Sequence, residues 1–309
     1  MADEERFVRE QERLTGRIEE ILKRFLPPEE GIADTMPGQE DIRMPLIVAE
    51  AMNYSLMSGG KRLRPLFMQL SFDLFNGSNH EMLHPFLAAI EMIHTYSLIH
   101  DDLPAMDNDT LRRGRPTNHV VYGECTATLA GDALQAEAFG TILRSSLPAE
   151  RRARCAMHLA NAVGLDGMCG GQYLDMLGEG KTLSEAELDE INSRKTGALL
   201  IAACLMGVAA AGGTLAQEEA AARYGAALGA AFQIRDDMLD VLSTEAELGK
   251  PIGSDREEKK NTYMALYGAE KCAALIEKLT GEAKDALAGQ FEDASLLCSL
   301  SDSLATRRS

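Results

Sequence analysis

Residues 97–119 read SLIHDDLPAMDNDTLRRGRPTNH and place four aspartates, at 101, 102, 107 and 109, within nine positions. Three arginines follow at once, Arg112, Arg113 and Arg115. Carboxylates this close repel one another unless a cation compensates them. A second acidic group, Asp236, Asp237 and Asp240, lies in FQIRDDMLDV at residues 232–241. On a helix with Gln233 set at zero, these aspartates fall at about −60°, +40° and −20°, so all four polar side chains share one face. Grouped carboxylates suit a hard divalent cation that retains water. Mg²⁺ is the natural partner, especially where a phosphate adds further oxygens. A calcium EF-hand is excluded, because counting from Asp107 puts Leu111 and Arg112 where the loop needs an acid and a glycine.

Basic elements accompany the acidic ones. GGKRLRP at residues 59–65 sets Lys61, Arg62 and Arg64 directly after two glycines. It lacks the P-loop pattern, but it can clamp a compact anion, with Arg64 bonding bidentately and Lys61 acting as a point charge. SRKTG at residues 193–197 carries Lys195 and Thr196, and residues 249–263 add Lys250, Lys259 and Lys260. Each element alone is ordinary surface charge. Two acidic clusters with several basic clamps describe a site for two highly charged anions, one of them bound through metal.

The elements that position these groups read as helices. Residues 86–102 form one helical stretch, in which spacings of three, four and seven put His94, Ser97 and Asp101 on one stripe. Pro104 disfavours its continuation. Asp101 and Asp102 therefore stand at a C-terminal end, where the helix dipole is already negative. Asp107 is turned about 120° from Asp101 on an ideal helix, and a bulge at LPAM could bring it back. Leu14, Ile18, Ile21, Leu22 and Phe25 recur at helical spacing in a charged N-terminal segment ended by Pro27, with no signal peptide expected. Residues 196–217 carry no charge. Gly212 and Gly213 break that stretch, and Thr214 with Gln217 forms a capping box, so it predicts a buried core helix and no membrane span. Ser184 and Glu187 form a second capping box.

The 309 residues hold no Trp and no convincing alternating strand. An all-α fold of roughly ten helices is expected, with residues 1–309 as a single domain. The net charge of −17 argues against nucleic acid as a partner. Six scattered cysteines without a C-x-x-C pair read as reduced thiols of a cytoplasmic protein.

GGKRLRP, HDDLPAMDNDTLRRGRPTNH, GGQYLDM, KTGALL, QIRDDMLD and GKPIGSD with KNTY occur in one order from Gly59 to Tyr263. In this the chain resembles the polyprenyl synthetase family, the trans-isoprenyl diphosphate synthases. The resemblance implies an isoprenoid synthase fold, a helical bundle around a deep central cavity, usually as a homodimer acting on small-molecule diphosphates. It implies that Asp101, Asp102, Asp107, Asp236, Asp237 and Asp240 bind Mg²⁺, three ions per active site with substrate bound. Arg112, Lys195 and Lys250, with Lys260, would hold an allylic diphosphate. Thr196 and Gln233 would lie beside its reacting carbons. Lys61, Arg64, His94 and Arg113 would hold isopentenyl diphosphate. Lys259 stands where the family more often has glycine.

In such enzymes a bulky aromatic five residues before the first aspartate blocks the growing chain. Tyr96 stands there with Ser97 beside it, and a fifteen-carbon product, farnesyl diphosphate, is expected. A twenty-carbon product from the same family is the alternative. A terpene cyclase would need no second diphosphate clamp of the kind GGKRLRP and Arg113 offer. A phosphohydrolase using His100 and Asp101 leaves the second acidic cluster unexplained. A di-iron reading of Glu81/His84 and Glu91/His94 lacks two matching glutamate helices.

Overall fold

The computed structural model describes residues 2–26, 46–75, 80–242 and 261–306. Lys250, Lys259, Lys260 and Pro27 lie outside them. Among the described residues the chain is helical, apart from a two-residue antiparallel ladder, β1 (Leu111–Arg112) with β2 (Arg115–Pro116), registered Leu111 to Pro116. Contacts divide the chain into two units.

One unit comprises Leu14–Arg62 and His84–Ser145. It holds most of α1 (Ala2–Phe25), then α2 (Leu46–Leu56), α4 (His84–Asp101), α5 (Asn118–Tyr122) and α6 (Glu124–Arg144). Leu14, Ile18, Ile21 and Leu22 are buried, as the spacing in α1 predicts. Pro85 falls in the first turn of α4, where its missing N–H costs nothing. Eight consecutive residues of α4, Phe86 to Ile93, are at most 1% exposed, and all but Glu91 are apolar. A helix apolar nearly all round has to be central, and α4 packs against α6. The two come so close that a Cβ on Gly131 would lie 2.2 Å from His100 Nε2.

The other unit comprises Met1–Arg13, Leu63–Leu83 and Ser146–Ser309. It contains α3 (Leu63–Asp73), α7 (Ala149–Val163), α8 (Met168–Gly178), α9 (Glu185–Asn192), α10 (Ala198–Ala211), α11 (Leu215–Leu242), α12 (Tyr263–Leu287) and α13 (Ser295–Thr306). The uncharged α10 lies against α3, α7 and α11, and a Cβ on Gly207 would meet Met68 O at 2.4 Å. The helical run Glu185–Ala211 is long and apolar enough to cross a membrane, but 61% of its apolar window is buried inside the protein. It is a core helix, as expected. Gly212 ends it in the left-handed region, φ 89°. Gln217 Oε1 then accepts from Thr214 N at 2.9 Å, closing the expected capping box. The Ser184–Glu187 box is also present.

Candidate active site

In the first unit, α4 ends at the first acidic cluster. The chain curls back through LPAM, where Asp107 N donates to Asp101 O at 2.9 Å and Asn108 N to Leu103 O at 3.1 Å. Asn108 takes φ 55°, a left-handed turn that asparagine tolerates. The backbone of Asp107 is thereby brought back to that of Asp101. Asp102 is 3% exposed. It is gripped by Arg112, whose Nε donates to its two carboxylate oxygens at 2.7 and 2.9 Å and whose Nη2 stands 2.6 Å from Oδ1. Burial pushes the Asp102 carboxyl above its ordinary range; Arg112 opposes this, and Asp109 and Asp107 add to it. Burial opposes the charge on Arg112, but the bond to Asp102 and its field raise the guanidinium's pKa on balance. Two residues expected to serve ligands thus neutralise each other.

The arginine-rich loop is anchored on α2. Asn118 Nδ2 donates to Ala51 O at 2.7 Å and Ser55 Oγ at 2.8 Å. Arg115 lies 4.3 Å above the Tyr54 ring, and Tyr54 OH donates to Pro116 O at 2.8 Å. Arg113 donates to Gly59 O and, at 3.3 Å, to Ser58 Oγ, so it meets the GGKRLRP loop. Lys61 is exposed and His94 half-buried. Arg62, its neighbour in the same basic run, turns inward and is 2% exposed. Tyr96, 5% exposed, meets His100 edge-on with ring centroids 5.6 Å apart. Ser97 Oγ donates to His94 O at 2.9 Å.

In the second unit, Ser193–Gly197 forms a π-helical turn joining α9 to α10 and carrying Lys195 and Thr196. Such single-turn insertions recur at functional sites. Thr196 Oγ1 donates to Gln233 Oε1 at 3.1 Å, and Gln233 Nε2 donates to Asp237 Oδ1 at 3.0 Å. Asp237 Oδ2 accepts from Tyr263 N at 2.7 Å, and Tyr263 OH donates to Asp189 at 2.6 Å. One chain of bonds therefore links KTG, the second acidic cluster and the head of α12. Asp237 and Asp240 are buried, and Asp236 is half-buried beside them on α11.

Asp175, Tyr263 and Asp189 received no role from sequence reasoning. Lys195 Nζ donates to Asp175 Oδ2 at 2.6 Å. Asp175 lies in GGQYLDM and Tyr263 in KNTY, so the quoted motifs held the signal for both. The glycines of GGQYLDM also have a steric reason, since a Cβ on Gly171 would sit 2.2 Å from Lys195 N. The turn that carries Lys195 packs on bare backbone.

No group of three or more His, Cys, Asp or Glu among the described residues is disposed to hold a metal alone. All-oxygen donors of this kind fit Mg²⁺, which keeps several waters and takes one or two carboxylates together with substrate phosphates.

A polyprenyl synthetase family model matches residues 45–294. The chain is 44% identical over 268 residues to a geranylgeranyl diphosphate synthase of Cyanophora paradoxa, covering 86% of this chain and 89% of that one. It is 48% identical over 238 residues to a farnesyl diphosphate synthase of Micrococcus luteus, covering 77% and 81%. The crystal structure of a geranyltransferase from Legionella pneumophila superposes with a TM-score of 0.81 at 33% identity, covering 98% of both chains. With the family model spanning most of the chain and relatives of this identity along most of their length, the protein is a member of the polyprenyl synthetase family.

Proposed function

We propose that the protein is a prenyltransferase that condenses isopentenyl diphosphate with dimethylallyl and then geranyl diphosphate to give farnesyl diphosphate. The observation that carries the fifteen-carbon product is Tyr96. It lies five residues before Asp101, about a turn and a half along the same helix, and its ring is buried against His100. Geranylgeranyl diphosphate, the product named for the Cyanophora relative, would need more room at that depth.

Asp101, Asp102, Asp107, Asp236, Asp237 and Asp240 would hold Mg²⁺, three ions per active site. When bound, the metal supplies Lewis-acid charge that stabilises the departing diphosphate. Arg112, Lys195, Lys250 and Lys260 hold the allylic diphosphate and add fixed positive charge where negative charge develops. The allylic C–O bond breaks, leaving a carbocation in a water-poor site protected from hydrolysis. Thr196 and Gln233, already bonded to each other, present oxygens to that positive charge. Lys61, Arg64, His94 and Arg113 hold isopentenyl diphosphate so that its double bond attacks the cation, forming the new C–C bond. The released diphosphate takes the proton lost in restoring the double bond. The same reading makes the protein a cytoplasmic homodimer, with residues 1–309 as one domain in each subunit.

The test is incubation with isopentenyl diphosphate, each allylic diphosphate and Mg²⁺, followed by chromatography of the products. Farnesyl diphosphate should dominate. No elongation with any primer would refute the enzyme reading, and a dominant twenty-carbon product would refute the chain-length reading alone.

A further inference from the structure

We propose that Arg62, buried between Glu91 and Glu19, is a positioning residue that shapes the clamp for isopentenyl diphosphate; this rests on the reading above, in which Lys61, His94 and Arg113 take that substrate. Lys61 and Arg62 are adjacent, yet one is exposed and the other 2% exposed. Every arm of the Arg62 fork is engaged. Nε donates to Glu19 Oε1 and Nη1 to Glu91 Oε1, each at 2.6 Å, and Nη2 to Leu56 O at 2.9 Å. The loop is thereby tied at once to α1, α4 and the end of α2.

The backbone needs such a tie. Arg62 has φ 48°, and Gly59 and Gly60 just before it have φ 83° and 125°. A residue with a Cβ persists in the left-handed region only where its surroundings over-determine it. The shape so imposed reaches the proposed substrate ligands. Arg113 donates to Gly59 O and Ser58 Oγ, and it lies over Gly60, where a Cβ would stand 2.7 Å from its guanidinium carbon. Glu91 precedes His94 by one turn of α4. Two carboxyl groups share this one guanidinium behind the cationic loop. Burial lowers the pKa of Arg113, and the fields of Glu91 and Glu19 oppose that shift while Arg62 and Arg112 add to it. Buried ion pairs often stabilise a fold no more than apolar side chains of the same size. Geometric specificity accounts better for one placed behind a binding loop.

The experiment compares Glu91→Gln, Glu19→Gln and Lys61→Ala in the full chain, with Mg²⁺ and geranyl diphosphate, folding being checked by circular dichroism. Glu91→Gln should raise the KM for isopentenyl diphosphate about tenfold, the effect of losing one charge-assisted bond, and leave the KM for geranyl diphosphate within about twofold. Glu19→Gln, on the more exposed side of the pair, should raise the same KM about threefold and carries the test if Glu91→Gln does not fold. An unchanged isopentenyl diphosphate KM in the folded variants, or an equal rise in both KM values, overturns the proposal. If Lys61→Ala alone raises that KM, only the positioning role of Arg62 falls. If Lys61→Ala also leaves it unchanged, the substrate-site reading falls with it.

Discussion

Arg112 holds Asp102 in a two-pronged ion pair, with Nε at 2.7 and 2.9 Å from the two carboxylate oxygens and Nη2 at 2.6 Å from one of them. Asp102 is almost fully buried, whereas Arg112 retains about a third of its side-chain exposure (32%). The carboxylate therefore depends on the guanidinium more than the reverse. Arg112→Ala is expected to lower unfolding stability by roughly 2–3 kcal/mol, because a buried charge loses its hydrogen bonds. Urea unfolding of the variant measures this, and an unchanged midpoint would show that Asp102 is not held by Arg112.

Asp237 has two separable duties. Its carboxylate accepts from Gln233 and from the backbone N–H of Tyr263, and it is a proposed metal ligand. Asp237→Asn keeps one acceptor, loses the charge and turns its amide nitrogen toward either Gln233 Nε2 or Tyr263 N, so turnover should fall about 10²–10³-fold and stability by about 1 kcal/mol. Asp237→Ala strips both duties and should also lose about 1–3 kcal/mol. Steady-state rates at varied Mg²⁺ and thermal melts separate the two effects. Full activity in the folded Asp237→Asn protein would remove Asp237 from the metal set.

Tyr96 sets the expected product length. Tyr96→Ala should shift the principal product from fifteen to twenty carbons, at a stability cost of about 3–5 kcal/mol for the lost aromatic ring. Product chromatography decides this. A product that stays at fifteen carbons would mean that another side chain stops the growing chain.

Gly171 is required by contact. A methyl group there would meet Lys195 N at 2.2 Å, with backbone on both sides of the clash. Gly171→Ala should displace the π-helical turn, cost about 1–3 kcal/mol and lower activity beyond what the lost stability explains. Activity assayed well below the melting temperature distinguishes these effects, and a wild-type rate would show that the turn accommodates the methyl.

The buried thiols make stability depend on alkaline pH. Burial pushes Cys155 and Cys204 up to about 12 from an ordinary value of 9.0. Unfolded thiols release protons near pH 9 while the native ones keep them, so the folded state binds more protons in that window. Their contribution is complete below about pH 9 and is lost as pH rises toward 12. Urea unfolding from pH 8 to 11 should show falling stability. The Cys155→Ala/Cys204→Ala protein should show a shallower slope, and an identical slope would rule these thiols out as its cause. Neither thiol should be alkylated at pH 8 in the native protein.

Local features of the fold were legible because a few consecutive residues decide them. The capping boxes at Ser184–Glu187 and Thr214–Gln217 and the left-handed Gly212 depend on windows of three or four residues. The common face of Gln233, Asp236, Asp237 and Asp240 follows from the helical period alone. The end of α4 near Pro104 was readable because proline disfavours helix in the residue before it. The two-residue ladder at Leu111–Arg112 escaped, since strands so short show no alternation to detect.

The sequence by itself determined the helical class, the motifs in their order and the family they mark, because periodicity, capping and charge type are properties of neighbouring residues. Only the tertiary structure decided that Arg62 turns inward while Lys61 turns out, that Arg112 neutralises Asp102, and that Asp175 takes Lys195 across twenty residues of chain. Those choices rest on which helices meet and how closely. Glycines such as Gly131, Gly171 and Gly207 allow the close approaches, and a carboxylate's partner is whichever cation the packing brings within about 3 Å.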